Sequence, residues 1–206
     1  MQFYLLTSGG FCAIMKGSGF IFLLSVARKI FYQKRLTFSY GYGIIITERE
    51  VMSMRKESWI WFDMDGTIAD FYGVEGWLDD LKHHNTRPYR EAKGLYNNLD
   101  LLEVLLLLKN KGYKIGIISW SSKDNCPDFD RAVELAKKEW LYNRLFDVVL
   151  DKIIVTPYGV RKADTCRKYG AGILVDDEEQ NRTSWDLGKT IDATKNILTA
   201  LRELLK

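Results

Sequence analysis

From Trp59 to the C-terminus, short largely apolar runs alternate with longer stretches in which apolar side chains recur every three or four positions. The runs at 59–62, 113–118, part of 148–155 and 173–175 have the length of strands. They show no polar alternation, so both of their faces are expected to be covered. Asn98 is a candidate cap for a Leu-rich helix reaching about Lys111, with Gly112 as its stop. A second helix is predicted to open at Asp128 or Asp130 and run through Ala132, Leu135, Ala136 and Trp140, and a third to occupy about 193–205. Strands alternating with helices predict an α/β fold, a three-layer Rossmann-like parallel sheet with helices on both faces. No internal repeat or low-complexity tract interrupts this pattern.

Composition agrees with a folded chain: 206 residues with 47% hydrophobic suit one domain of ordinary size with a real core. The net charge of +3 is unevenly placed, because residues 1–57 hold eight Lys and Arg against three Glu, whereas the rest holds 22 against 24. No basic surface for nucleic acid is therefore expected in the larger part. Cys12, Cys126 and Cys166 form no CxxC pair. That spacing argues against a zinc site or a disulfide framework and for a reducing, cytoplasmic location.

The first quarter reads differently. Its apolar run at 20–26 is far shorter than the roughly 20 residues a membrane helix needs. Lys16 ahead of it and Ser25-Val26-Ala27 faintly imitate a secretion signal, but Arg28-Lys29 follows at once, so neither a membrane partner nor export is expected. Arg49-Glu50-Val51 can be encoded by AGG-GAG-GUG, a purine-rich ribosome-binding sequence just before Met52 and Met54. The expectation is that residues 1–53 are an extension outside the natural coding sequence, and that a single domain spans 54–206. Peptides from before Met52, found in protein expressed from its native gene context, would overturn it.

Candidate chemistry begins where the first strand ends. The apolar run 59–62 stops at Asp63-Met64-Asp65-Gly66-Thr67, two carboxylates spaced by one residue and followed by a glycine. Alternate strand residues point the same way, and a turn at Gly66 frees backbone N–H groups to meet an anion. One carboxylate can attack phosphorus while the other moves a proton. The same string also occurs in plain turns and in calcium loops, so the rest of the chain must decide.

Three later features bear on that choice. The strand ending in Ser119-Trp120-Ser121-Ser122 offers a hydroxyl and backbone N–H groups at a strand's carboxyl end, where open α/β sheets bind ligands. The strand ending in Asp176-Asp177-Glu178-Glu179 brings acids that repel one another unless a cation is present, and oxygen ligands suit Mg²⁺. Glu178 and Glu179 are read as a solvated helix start. Lys162 lies near the start of the helix leading back to that strand and could neutralise a phosphoryl group, with Arg161, Arg167 and Lys168 as competitors.

Taken in order, Asp63-Met64-Asp65-Gly66-Thr67, Ser119, Lys162 and Asp176-Asp177 resemble the four-motif signature of the haloacid dehalogenase superfamily of phosphotransferases, over roughly residues 59–192. Residues 63–71 (DMDGTIADF), the Ile-Leu-Val-Asp-Asp strand and Ser184-Trp185 are similar to the C-type 5′-nucleotidases, the 5′(3′)-deoxyribonucleotidases. The resemblance implies a small helical cap inserted at about 72–97. It also implies Asp63 as nucleophile and Asp65 as acid and base. Mg²⁺ would be held by Asp63, the Asp65 carbonyl, Asp176 and Asp177, with Ser119, Trp120 and Lys162 on the phosphate. Phe71 and Tyr72 would touch the substrate or, with Trp77, form the core of the cap. His83-His84 are expected at the surface, with the wrong spacing for a helical metal pair. The expected partner is a small phosphomonoester, a (deoxy)nucleoside monophosphate first. A phosphatase of nucleic-acid ends or of another small phosphoester, and an idle binding protein on the same fold, are the alternatives.

Overall fold

The computed structural model describes residues 3–7, 12–15, 36–37, 59–124 and 126–206. The chain divides into two units, Met1–Lys56 and Glu57–Lys206. In the first, β1 (Phe3–Thr7), β2 (Cys12–Met15) and β3 (Leu36–Thr37) form an antiparallel sheet in the order β2-β1-β3. The run at 20–26, Arg49-Glu50-Val51, Met52 and Met54 lie outside the described residues.

The second unit is built on a five-stranded sheet, all parallel, in the order β10-β9-β4-β7-β8. These strands are β4 (Trp59–Phe62), β7 (Lys114–Trp120), β8 (Lys152–Thr156), β9 (Gly172–Asp176) and β10 (Thr190–Asp192). From central β4 the chain steps outward through β7 and β8, then returns to the other side for β9 and β10. The order therefore reverses between β4 and β9, and in open α/β sheets such a reversal leaves a crevice at the strands' carboxyl ends.

Alternation along β4 shows why its sequence is apolar throughout. Ile60 and Phe62 join Ile115, Ile117, Ile173 and Val175 in a core closed by the helices α3 (Asn98–Asn110), α4 (Pro127–Val149) and α6 (Ile197–Glu203). Trp59 and Trp61 face the other way, into a core with Leu174, Trp185 and the Ala163 and Cys166 of α5 (Lys162–Cys166). The sheet is thus covered on both faces, as the pattern predicted. The two indoles stack with centroids 4.6 Å apart. Their partners in register are Gly116 on β7 and Gly172 on β9. A Cβ on Gly116 would overlap the Trp61 ring, and one on Gly172 would lie 2.9 Å from Trp59 Cβ. Absent side chains on neighbouring strands make the space that the tryptophans fill.

Between β4 and α3 an excursion forms a small lobe. The two-residue strands β5 (Ala69–Asp70) and β6 (Lys93–Gly94) pair antiparallel and bracket α1 (Trp77–Lys82) and α2 (Arg87–Glu91). Phe71 and Tyr89 pack on Phe129, Val133 and Ala136 of α4, with Trp77 and Leu81 against them, which seats the lobe on the domain.

Two boundaries differ from expectation. Asn97, not Asn98, caps α3, its side chain accepting from the N–H groups of Leu99 and Asp100. Helix α4 starts earlier, with Pro127 in its first turn, and extends to Val149, so β8 begins only at Lys152. The Asp151 carboxylate accepts from Ile115 N–H at 2.8 Å and the Asp151 N–H donates to Ile115 O at 2.7 Å, which fixes where that edge strand starts. Leu135, one of the apolar positions through which that helix was expected to run, is 54% exposed. Among the described residues no helix is long and apolar enough to cross a membrane.

Candidate active site

Three adjacent strands deliver the polar residues to the carboxyl edge of the sheet: β4 ends into Asp63, β7 carries Ser119, and β9 ends in Asp176. The Asp63 N–H donates to Val175 O at 2.9 Å, tying the start of the first motif to the neighbouring strand end. A tight turn follows, in which the N–H groups of Thr67, Ile68 and Ala69 all converge on Met64 O. Gly66 has φ +76°, a conformation open to glycine at little cost. A Cβ there would also collide with the Asp177 carboxylate. The Thr67 hydroxyl donates to Asp177 Oδ1 at 3.1 Å and accepts from the Asp177 N–H at 3.2 Å, so the two acidic motifs are stitched together.

Asp63, Asp176 and Asp177 each bring a carboxylate oxygen into one group, all within 4.8 Å of one another. Lys162, at the first turn of α5, enters the group from the side, 2.7 Å from Asp176 Oδ2 and 2.9 Å from Asp63 Oδ1. Asp176 is fully buried, and its other oxygen accepts from the Glu178 N–H at 2.9 Å and from Asn181 Nδ2 at 3.1 Å. Arg182 donates to the main-chain oxygens of both Asp176 and Asp177, bracing the loop. By contrast Asp63 Oδ1, near as it is to Lys162, receives no well-directed hydrogen bond and is shut away from water. Lys168 is exposed and Arg161 is turned to the Ser184 carbonyl, so of the basic candidates Lys162 is the one brought to the acids.

Asp65 goes elsewhere. Its Oδ2 accepts from Lys137 Nζ at 2.6 Å, and the same ammonium donates to Ser119 Oγ at 2.8 Å and to Trp120 O at 2.6 Å. The Asp65 carboxylate is thus not in the group formed by Asp63, Asp176 and Asp177. Lys137 was missed from sequence. Its one signal is position: with Val133, Ala136, Trp140 and Leu141 it falls on the stripe of α4 that is buried against the domain.

Electrostatics follow from this packing. Four carboxylates face two ammonium groups, and burial is the first cause that raises three of them, Asp65, Asp176 and Asp177. Burial and then Asp63 push the Asp176 carboxyl up, with Lys162 opposing. Burial, Asp63 and Asp176 raise Asp177 to about 6. Burial also raises Asp65, against the pull of Lys137. Burial alone would lower the Lys162 ammonium, but Asp63 and Asp176 more than reverse it, so it stays charged. A set of carboxylates that the two ammonium groups leave uncompensated fits a hard divalent cation.

The aromatic residues divide. Phe71 is buried in the lobe, with its ring on Tyr89 and Trp77, and so does not reach a substrate. Tyr72 is 51% exposed and lies against Gly66, where burial and the charges of Asp65, Asp177, Asp63 and Glu178 raise its hydroxyl. Trp120 spends its indole N–H on Val160 O at 2.8 Å, so its side chain offers no donor to an anion, and its ring covers Lys162 at 5.1 Å. His83 and His84 are exposed, as expected.

No family model matches this sequence, and no curated protein does. Among solved structures the chain has a likeness to D,D-heptose 1,7-bisphosphate phosphatase from Burkholderia thailandensis, with 13% identity and a TM-score of 0.45, covering 72% of this chain and 99% of that one. A likeness of that size leaves the chemistry to be argued from the residues themselves.

Proposed function

We propose that the second unit is a Mg²⁺-dependent phosphomonoester hydrolase working through an aspartyl-phosphate on Asp63. The observation that supports this most is the grouping of Asp63 with Asp176, Asp177 and Lys162 at the sheet's reversal point, while Asp65, two residues on, is held apart on Lys137. Asp63, Asp176 and Asp177, with the Asp65 carbonyl, would hold Mg²⁺, which would offset the charge of the phosphate and make attack by an anion possible. An Asp63 oxygen attacks phosphorus as the ester P–O bond breaks, and Asp65 gives its proton to the leaving oxygen. Asp65 then takes a proton from water, whose oxygen attacks the same phosphorus and frees the Asp63 carboxylate and inorganic phosphate. The raised Asp65 carboxyl favours the protonated start of this cycle. Lys162 and Ser119 steady the phosphoryl oxygens.

The substrate favoured is a (deoxy)nucleoside monophosphate. Its support is the sequence similarity of residues 63–71 together with Tyr72, whose exposed ring stands beside the acids and could stack on a base. A panel of 5′-dNMPs, 3′-phosphorylated oligonucleotides and sugar phosphates, run with and without Mg²⁺, tests both levels. Turnover is expected only with the metal, and greatest on the 5′-dNMPs. Asp63→Asn is expected to abolish turnover while the fold and Mg²⁺-free stability persist; residual activity near wild type would dismiss Asp63 as nucleophile.

A further inference from the structure

Lys137 is the most completely buried cation of the described residues not used by the mechanism above, with a side chain 1% exposed. Burying an ammonium is costly unless its three protons are all taken, and here they are, by Asp65 Oδ2, Ser119 Oγ and Trp120 O. Its Nζ also sits 5.0 Å from the centre of the Tyr89 ring, which belongs to the inserted lobe. A solvated helix lysine has no reason to be held this way.

The consequence falls on Asp65. With Oδ2 taken, the carboxylate cannot rotate freely, and Oδ1 is left buried with no hydrogen-bond partner among the described residues. Oδ1 is thus the oxygen left to carry the acid's proton, and a buried polar group without a partner is destabilising by itself, so its place is accounted for if an incoming oxygen accepts the hydrogen bond it donates.

We propose that Lys137 is a positioning residue for phosphoryl transfer: it pins Asp65 through Oδ2 so that Oδ1 is presented to the leaving oxygen of a phosphomonoester, and it sets the Ser119 hydroxyl in the same act. This rests on Asp65 being the acid of the reaction. The role is orientation, and an acid that is badly aimed matters in proportion to how much the leaving group needs its proton. Phosphate esters of activated phenols leave without one, whereas alkyl phosphates do not.

The test compares Lys137→Met, Lys137→Gln and Asp65→Asn with wild type on 2,4-dinitrophenyl phosphate and on an alkyl phosphate monoester, with saturating Mg²⁺. Asp65→Asn is expected to lose on the order of 10²-fold or more in kcat on the alkyl ester and much less on the activated one. The Lys137 variants should show the same split in kcat, smaller in size, with Lys137→Gln partly rescued because its amide can still donate to Oδ2. A variant of Lys137 that folds, by its thermal transition, and loses equally on both esters overturns the proposal, since that is what general damage to the site does. So does one that loses on neither. Should Lys137→Met fail to fold, the proposal stands or falls on Lys137→Gln, which keeps a donor. If instead Asp65→Asn itself shows no split, the reading of Asp65 as acid is what fails, and the two failures are told apart.

Discussion

Asp177 is an acid whose ionisation the fold opposes. Its carboxyl is raised to about 6 from an ordinary 3.8 by burial and by Asp63 and Asp176, so the folded state holds a proton that the unfolded chain releases. Its contribution to stability is therefore fully present below about 3.8 and is lost as pH rises through about 6. Metal-free protein is expected to gain stability from this group as pH falls between those values, against the usual trend for paired carboxylates, and thermal melts across the range in EDTA would show it; Asp177→Asn should flatten the change. The same proton competes with a cation, so Mg²⁺ affinity by calorimetry should fall roughly tenfold per pH unit below about 6 if one proton is displaced. At this scale the sequence was readable where the residue type was unusual for its place, as with acids closing apolar strands. Lys137 was not, because lysines are common on helices, and only burial separates this one from Lys138 beside it.

Among the elements, β4 is the one on which the site depends, because Asp63 continues directly from it. Its position rests on two stacked indoles filling space left by Gly116 and Gly172. Gly116→Ala places a methyl into the Trp61 ring, and overpacking of this kind costs about 1–3 kcal/mol. A lowered denaturation midpoint is expected, with turnover falling as well because displacement of Trp61 moves the strand that ends at Asp63; an unchanged midpoint would mean that the core yields around the new methyl. The existence and type of the four strands expected were legible from short, largely apolar runs. Boundaries were not: α4 continues past the point where the apolar pattern suggested a strand, and its end is set by Asp151 bonding across to Ile115, a contact remote in sequence. The short helices α1 and α2 carry little pattern of their own, and the lobe was expected only through the family resemblance.

At the scale of the whole molecule, the three buried clusters found among the described residues run from Trp59 to Leu201. A chain of residues 54–206 is accordingly expected to unfold in one cooperative transition and to keep the turnover of the full chain, read by calorimetry and by the phosphatase panel. Loss of folding on removal of residues 1–53 would show that the domain boundary is wrong. The sequence by itself determined the α/β class, the apolar strands and the acids at their ends, since these depend on local periodicity and on residue types that few environments tolerate. Tertiary structure alone decided the order β10-β9-β4-β7-β8, which sets β9 against β4 and so brings Asp176 and Asp177 to Asp63 across more than a hundred residues. It also decided that Lys162 serves the clustered acids and Lys137 serves Asp65. Which ammonium meets which carboxylate depends on distances of a few ångströms between separate elements, and linear spacing does not encode those.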